Sequence, residues 1–126
     1  MLAIEDCLSE VMAIPGAVDV ILVDPTTGMA VTTAGVGAAA GVEQSAAALS
    51  ETLRATMDGV ALATPGGTIR VNDVIVTTDK GHHLLKPVET VFEGPLLIYL
   101  RLDGERANIA LARHRLTAIS GRLVTA

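Results

Sequence analysis

The sequence predicts an α+β domain in which a five-stranded, mainly antiparallel sheet lies between helical layers. Three observations support this. Helical and strand-like hydrophobic periodicities follow one another in the order α-β-β-α-β-β-β-α. The connections between successive strand-like segments are shorter than the dozen or so residues that a parallel crossover needs. The last strand-like segment, GPLLIYLRL, leaves neither face polar, so both of its faces should be covered. The length of 126 residues suits one domain, spanning 1–126.

The first 35 residues predict a helix followed by a β-hairpin. A helix is expected at 2–13, because Ile4, Cys7, Leu8, Val11 and Met12 share one face. Pro15 and Gly16 should end it. Strands are expected at 17–23 and 29–35, because β-branched residues flank the turn-forming sequence DPTTG.

Residues 42–63 predict a long helix that packs on two sides. Its apolar positions recur at intervals of three and four residues, at Ala46, Leu49, Leu53, Met57 and Val60. Most of its other positions hold alanine, serine or threonine, and such small side chains let a second backbone approach closely. We therefore expect one contact surface of this helix to face something other than the sheet. The sequence PGG at 65–67 should end the helix.

The next three strands are expected at 68–79, 82–92 and 95–102. Turns at Lys80–Gly81 and Glu93–Gly94 should connect them as antiparallel neighbours. Pro87 falls inside the second of these strands and has no N–H to donate, so we expect a bulge or a break there.

The final helix follows from the sequence LDGERANIALARHRL at 102–116. Its apolar stripe is Ile109, Ala112, Leu116, Ile119 and Leu123. Four arginines border this stripe: Arg106, Arg113, Arg115 and Arg122. We expect their stems to cover apolar surface while the guanidinium groups stay in water, although a site for an anionic ligand is the alternative. Asp103 is the predicted N-cap.

Composition excludes several classes of function. A formal charge of −5 and an aromatic content of 2% argue against nucleic-acid binding, which uses basic surfaces and stacking platforms. No segment approaches the ~18 consecutive apolar residues of a membrane span, and the acidic N-terminal segment is unlike a signal peptide. A single cysteine excludes an internal disulfide. We therefore expect a cytoplasmic protein without membrane insertion.

No set of residues predicts catalysis, a cofactor or a metal. Gly35 to Ala40 matches part of a dinucleotide fingerprint, but it follows the second arm of a hairpin, so a loop is expected instead. His82 and His83 should point to opposite faces of a strand, and His114 lies opposite the apolar stripe of the last helix. Cys7 should be buried and unreactive. We expect no enzymatic activity.

The chain resembles the roadblock/dynein light chain domain family over nearly its whole length. The stretches that carry the resemblance are the leading helix ending in IPGA, the hairpin VDVILVDPTTGMAV, the strand pair IRVNDVIVTTDKGHHLLKPV and the segment GPLLIYLRLDGERANIALARHRL. They are specific as a set and weak singly. The chain looks most like bacterial roadblock proteins of the actinobacterial kind found beside a small Ras-like GTPase.

This resemblance implies a fold, an assembly and a partner. Members of the family have a five-stranded antiparallel sheet between helices and form homodimers through the long second helix and an edge strand. They act as regulators or scaffolds of GTPases or as dynein adaptors. Carried onto this chain, the implied dimer or partner interface is Ser45, Ala48, Leu49, Thr52, Thr56, Arg70, Asn72 and Asp73.

The resemblance thus implies a non-enzymatic, cytoplasmic homodimer that binds a small Ras-like GTPase and changes its nucleotide cycle or its location. The alternative is a small-molecule or haem-binding sensor on a similar scaffold. A sensor would need a pocket that uses His82, His83 or His114.

Overall fold

A computed structural model describes residues 2–35, 41–90 and 94–124, with Val124 described by its backbone only. The elements are α1 (Ile4–Met12), β1 (Ala17–Asp24), β2 (Met29–Gly35), α2 (Val42–Ala63), β3 (Val74–Thr78), β4 (Gly81–Thr90), β5 (Gly94–Leu102) and α3 (Ile109–Val124). This order confirms the predicted one, and α2 has the predicted bounds. The predicted turn residue Glu93 lies outside the described residues.

The five strands form one sheet in the order β2-β1-β5-β4-β3, and every neighbouring pair is antiparallel. The predicted α+β class with an antiparallel sheet is therefore confirmed. β5 lies at the centre, between β1 and β4. Both of its faces are buried, as its uninterrupted apolar sequence predicts, with Leu97 on one face and Leu100 on the other.

Alternation along the strands divides the core into two layers. On one face of the sheet, Val20, Leu84 and Leu100 pack with residues of α1 and α3. On the other face, the smaller layer packs Ile21 and Leu97 with residues of α2, including Leu53. The sheet is thus covered by two helices on one side and by one helix on the other.

Strand β3 is shorter than predicted. The expected strand at 68–79 is reduced to Val74–Thr78, and residues 68–73 have no ladder partner in the described chain. Ile69 and Val71 alternate with polar residues as they would in a strand. Alternation predicts an extended backbone, but it does not reveal whether another strand lies alongside.

The expected break at Pro87 was wrong. Strand β4 runs without a register shift past this residue, with Lys86, Pro87 and Val88 opposite Ile98, Leu97 and Leu96 of β5. On its other side β4 pairs with β3 only as far as Leu85. Pro87 can direct its nitrogen to that open side without removing a ladder hydrogen bond.

The predicted N-cap of the last helix was also wrong. Asp103 caps a separate turn, in which its carboxylate accepts the N–H of Glu105 at 2.9 Å and its carbonyl accepts the N–H of Ala107 at 3.1 Å. Helix α3 begins at Ile109, and the side-chain oxygen of Asn108 accepts the N–H of Leu111 at 3.1 Å. Asparagine is as strong a cap as aspartate, and Asn108 stands directly before the helix.

Cys7 is fully buried, as predicted, and this burial makes its reactivity a test of the fold. Burial, aided by the charge of Glu10, raises the pKa of the Cys7 thiol to about 11. The thiolate is the reactive form, so a disulfide reagent at neutral pH should modify the folded protein at least ~100-fold more slowly than the urea-unfolded protein. The rate is measured from the absorbance of the thiolate that the reagent releases when it reacts with Cys7. Equal rates in both states would contradict the buried position.

Candidate interaction surface

Helix α2 contacts the sheet through the first part of its length. Ala46, Ser50 and Leu53 are its buried residues. The hydroxyl of Ser50 donates to the carbonyl of Ala46 at 2.9 Å, so burying this side chain leaves no polar group unsatisfied. Leu49 is half-buried and completes the contact.

The second part of α2 exposes apolar side chains. Met57 and Val60 continue the apolar stripe but are 40% and 46% exposed, and Leu62 is 90% exposed. These three side chains lie in the second half of the helix, beyond its buried residues Ala46, Ser50 and Leu53. The apolar stripe of α2 is therefore only partly covered in the single chain.

One flank of α2 carries the five residues predicted for an interface. Ser45, Ala48 and Thr52 are exposed, and Leu49 and Thr56 are half-buried at the border of the sheet contact. The hydroxyls of Thr52 and Thr56 donate to carbonyls one turn back, at 2.9 and 2.8 Å. This flank consequently presents methyl groups and small side chains, with no free hydroxyl donor on either threonine.

The opposite flank of α2 is charged. At 100° per residue, Glu43, Glu51, Arg54 and Asp58 fall together on the other side of the sheet-facing direction. All four are exposed, and Arg54 forms an ion pair with Glu51. The two flanks thus differ in kind, and only the small, uncharged one could be covered by a partner without desolvating charges.

Arg70 and Asn72 belong to the segment before β3 rather than to a strand. Both line a cavity of about 840 Å³ together with Leu53 and Met57 of α2, so the structure brings these two predicted residues close to the helix. Asp73, the third predicted residue of this segment, points elsewhere. Its carboxylate accepts two hydrogen bonds from Arg113 of α3, at 2.8 and 3.3 Å.

Strand β3 forms one edge of the sheet, beside the cavity. Val76, in its centre, is 41% exposed. An edge strand leaves a row of backbone N–H and C=O groups available for a further strand. The two surfaces that the sequence assigned to an interface, the small flank of α2 and this edge, are therefore both accessible.

The arginines of the last helical region take part in ion pairs rather than in an anion site. Arg106 pairs with Asp103, Arg113 with Asp73, and Arg122 with Glu10 of α1. All three guanidinium groups are more than half exposed. This arrangement agrees with the expectation that the arginines border the apolar stripe with their charges in water.

A row of polar side chains crosses the sheet on the α2 face, at the end where β5 terminates. Arg101 donates to both carboxylate oxygens of Asp19, at 3.1 and 2.8 Å. His83 stacks on Tyr99, and its Nδ1 lies 2.9 Å from the phenol oxygen, while its Nε2 lies 3.0 Å from the hydroxyl of Thr78. The sequence did not reveal this row, because its members come from four different strands and are distant from one another along the chain.

The histidines do not converge on one site. His83 contacts Thr78 and Tyr99, whereas the Nδ1 of His82 lies 3.0 Å from the hydroxyl of Thr77, so the two rings point to opposite faces as predicted. Within residues 2–35, 41–90 and 94–124, no group of three metal-binding side chains is present. The described lining of the cavity includes no histidine.

His83 should make the stability of the protein depend on pH. Burial and the charges of Arg101 and His82 lower the pKa of His83 below its ordinary value of 6.5, against the opposing charge of Asp19. His83 therefore takes up its proton at a higher pH in the unfolded state than in the folded state. Protonation then favours the unfolded state, so the free energy of unfolding should decrease as the pH falls below about 6.5.

Urea unfolding at about pH 7.5 and pH 5.5, on either side of that value, measures this effect. His83→Gln should reduce the pH dependence, whereas His114→Gln, at an exposed position, should leave it unchanged. The same pH dependence in both variants would show that His83 does not cause it.

Two further features concern the dinucleotide-binding and membrane-spanning classes of protein, against which the sequence argued. The glycine fingerprint at 35–40 lies, apart from Gly35, outside the described residues, but the hairpin that argues against it is present, since β1 and β2 are antiparallel neighbours. None of the helices in the described part of the chain combines the length and the apolar content needed to cross a bilayer.

Solved structures with the same fold include a domain of the family that the sequence resembles. Myxococcus xanthus MglB superposes with a TM-score of 0.77 at 17% identity, over 98% of this chain and 95% of that one. The Roadblock/LC7 domain from Streptomyces avermitilis superposes with a TM-score of 0.69 at 18% identity, over 92% and 90%. The gliding protein MglB from Thermus thermophilus gives 0.66 at 18% identity, over 94% and 88%.

No protein-family model and no curated protein matches the sequence. At identities of 16–18%, the superpositions establish the fold. They agree with the element order and the antiparallel sheet that the sequence predicts. The chain therefore has the roadblock fold, which it shares with MglB and with the Roadblock/LC7 domain.

Proposed function

We propose that this chain, acting as one domain over residues 1–126, is a non-enzymatic homodimer that binds a small Ras-like GTPase and regulates or positions it. The observation that carries the proposal is the uncovered part of α2, where a small uncharged flank and three exposed apolar residues lie beside an open sheet edge. Exposed apolar side chains beside a small uncharged flank favour a protein–protein contact.

The homodimer is supported by the chemistry of the two α2 flanks. Two copies of the flank containing Ser45, Ala48 and Thr52 can approach closely, because no side chain on it is long or charged. A two-fold axis would bring the same residues together from both copies. One solved structure with this fold is described as MglB with a tetrameric arrangement, which supports assembly as a use of the fold.

The GTPase partner is supported by the fold and by the resemblance of the sequence. A regulator needs no catalytic group of its own, because holding the switch loops of a GTPase in one arrangement changes the rate of hydrolysis or exchange. The polar groups described above pair with one another, as in the row from Asp19 to Thr78, and none is left exposed as an evident nucleophile with a base.

Nucleotide-dependent capture tests the GTPase assignment. The tagged full chain is incubated with lysate of its own organism in GDP and in a non-hydrolysable GTP analogue, and bound proteins are identified by mass spectrometry. A small Ras-like GTPase should be enriched at least about tenfold in one nucleotide state, which corresponds to ~1.4 kcal/mol of differential affinity. Equal recovery in both states, or no GTPase in either, would contradict the proposed function.

A further inference from the structure

The residues before β3 continue the pairing pattern of the β3–β4 ladder. In that ladder Val74 pairs with Leu85, and each step back along β3 corresponds to one step forward along β4. Continued by one step, the register places Asp73 opposite Lys86. Opposite charges in directly facing positions stabilise an antiparallel pair.

The match extends over the next positions. Val71 would face Val88, whose side chain is buried against the helices α1 and α3. Arg70 would face Glu89, which gives a second pair of opposite charges. Val71 thus falls on the face that α1 and α3 cover, and each charged residue falls opposite one of the opposite charge. A strand shifted by one residue would lose this agreement.

The space for such a strand is already present. Strand β4 pairs with β5 beyond Glu89 but with β3 only to Leu85, so residues 86–89 have no β3 residue opposite them. Residues 86–89 line the 840 Å³ cavity, together with Met57 of α2, Thr117 of α3 and Val71. It occupies the place where the missing part of an edge strand would run.

Two features oppose closure and explain why the open arrangement exists. Pro87 has no N–H, so a closed strand would lack one of its ladder hydrogen bonds. Ordering four backbone residues also costs conformational entropy.

We propose that residues 70–73 form a strap that closes onto residues 86–89 as an extension of β3. Closing fills the cavity and adds four residues to an edge strand that now has five. The strap therefore sets the length of the edge strand that is available for pairing with a further strand. This inference concerns the chain itself and holds whether or not a GTPase is the partner.

Pairs of introduced cysteines test the register. In the closed strap, Arg70→Cys and Glu89→Cys face each other at a distance suited to a disulfide. Arg70→Cys with Lys86→Cys is the matched control, because both positions also line the cavity. After closure, however, Lys86 would lie three residues from the position opposite Arg70 and would point to the other face of the sheet. The native Cys7 is buried and should not interfere. With copper phenanthroline in dilute solution, the first pair should cross-link within one chain at least about tenfold faster than the second.

Equal rates for the two pairs would overturn the strap, because they would indicate a flexible loop without a register. A cross-linked dimer as the main product would also overturn it, because the groove would then take the segment of a second copy. Pro87→Val provides a test without cysteines, since it supplies the missing N–H. It should slow hydrogen exchange of the amides at 70–73 about fivefold relative to the unmodified chain. Unchanged exchange would overturn the proposal.

Discussion

Ala48→Arg is expected to convert the proposed dimer into a monomer at micromolar concentration. Ala48 lies in the middle of the small flank of α2 and is exposed in the single chain, so arginine should not disturb the fold of one copy. In a dimer built on this flank, the guanidinium would be buried without a partner. Such a group costs several kcal/mol, so the dissociation constant should rise at least ~100-fold.

Ala47→Arg is the matched control, because it makes the same substitution one position away, next to the charged flank. Light scattering coupled to size-exclusion chromatography should show a monomer for Ala48→Arg and a dimer for both Ala47→Arg and the unmodified chain. If Ala48→Arg remains dimeric, the interface lies elsewhere. If the unmodified chain is a monomer at micromolar concentration, the homodimer itself is wrong.

Leu100→Ala is expected to cause the largest loss of stability among single truncations. Leu100 is fully buried on β5, at the centre of the sheet, and packs in the core layer with α1 and α3. Removing its side chain leaves a cavity that a central strand, paired on both sides, cannot easily close. The free energy of unfolding should decrease by about 3–4 kcal/mol.

Leu62→Ala makes the same chemical change at a position that is 90% exposed. Measured in the Ala48→Arg background, so that association does not contribute, it should change the free energy of unfolding by less than about 0.5 kcal/mol. Urea denaturation followed by circular dichroism gives both values. A loss of similar size at the two positions would mean that the end of α2 is packed in solution.

Local signals in the sequence were sufficient for most of the fold. The bounds of α2 could be predicted because an apolar repeat of helical period ends at PGG, and the hairpin could be predicted from DPTTG between β-branched runs. Cys7 could be placed in the core because it shares a helical face with apolar residues. In each of these cases, neighbours within a few positions along the chain determine the structure.

The errors arose where distant parts of the chain decide the outcome. Whether residues 68–73 pair depends on β4. Whether Pro87 interrupts a ladder depends on where β3 ends. The predicted interface residues on α2 share one flank, because their spacing along the helix alone determines which face they lie on. Asp73 is bound by Arg113, 40 positions later, a contact that local spacing does not reveal.

The strand order has a consequence for how the chain folds. The central strand β5 must pair with β1, and Ala17 meets Leu102 across this junction. Closing so long a loop is entropically costly, and contacts between distant positions slow folding. During synthesis, the first hairpin and α2 would leave the ribosome well before β5 exists to cover them. Their apolar faces would stay exposed until the last quarter of the chain arrives, so the nascent chain should depend on chaperones more than its size suggests.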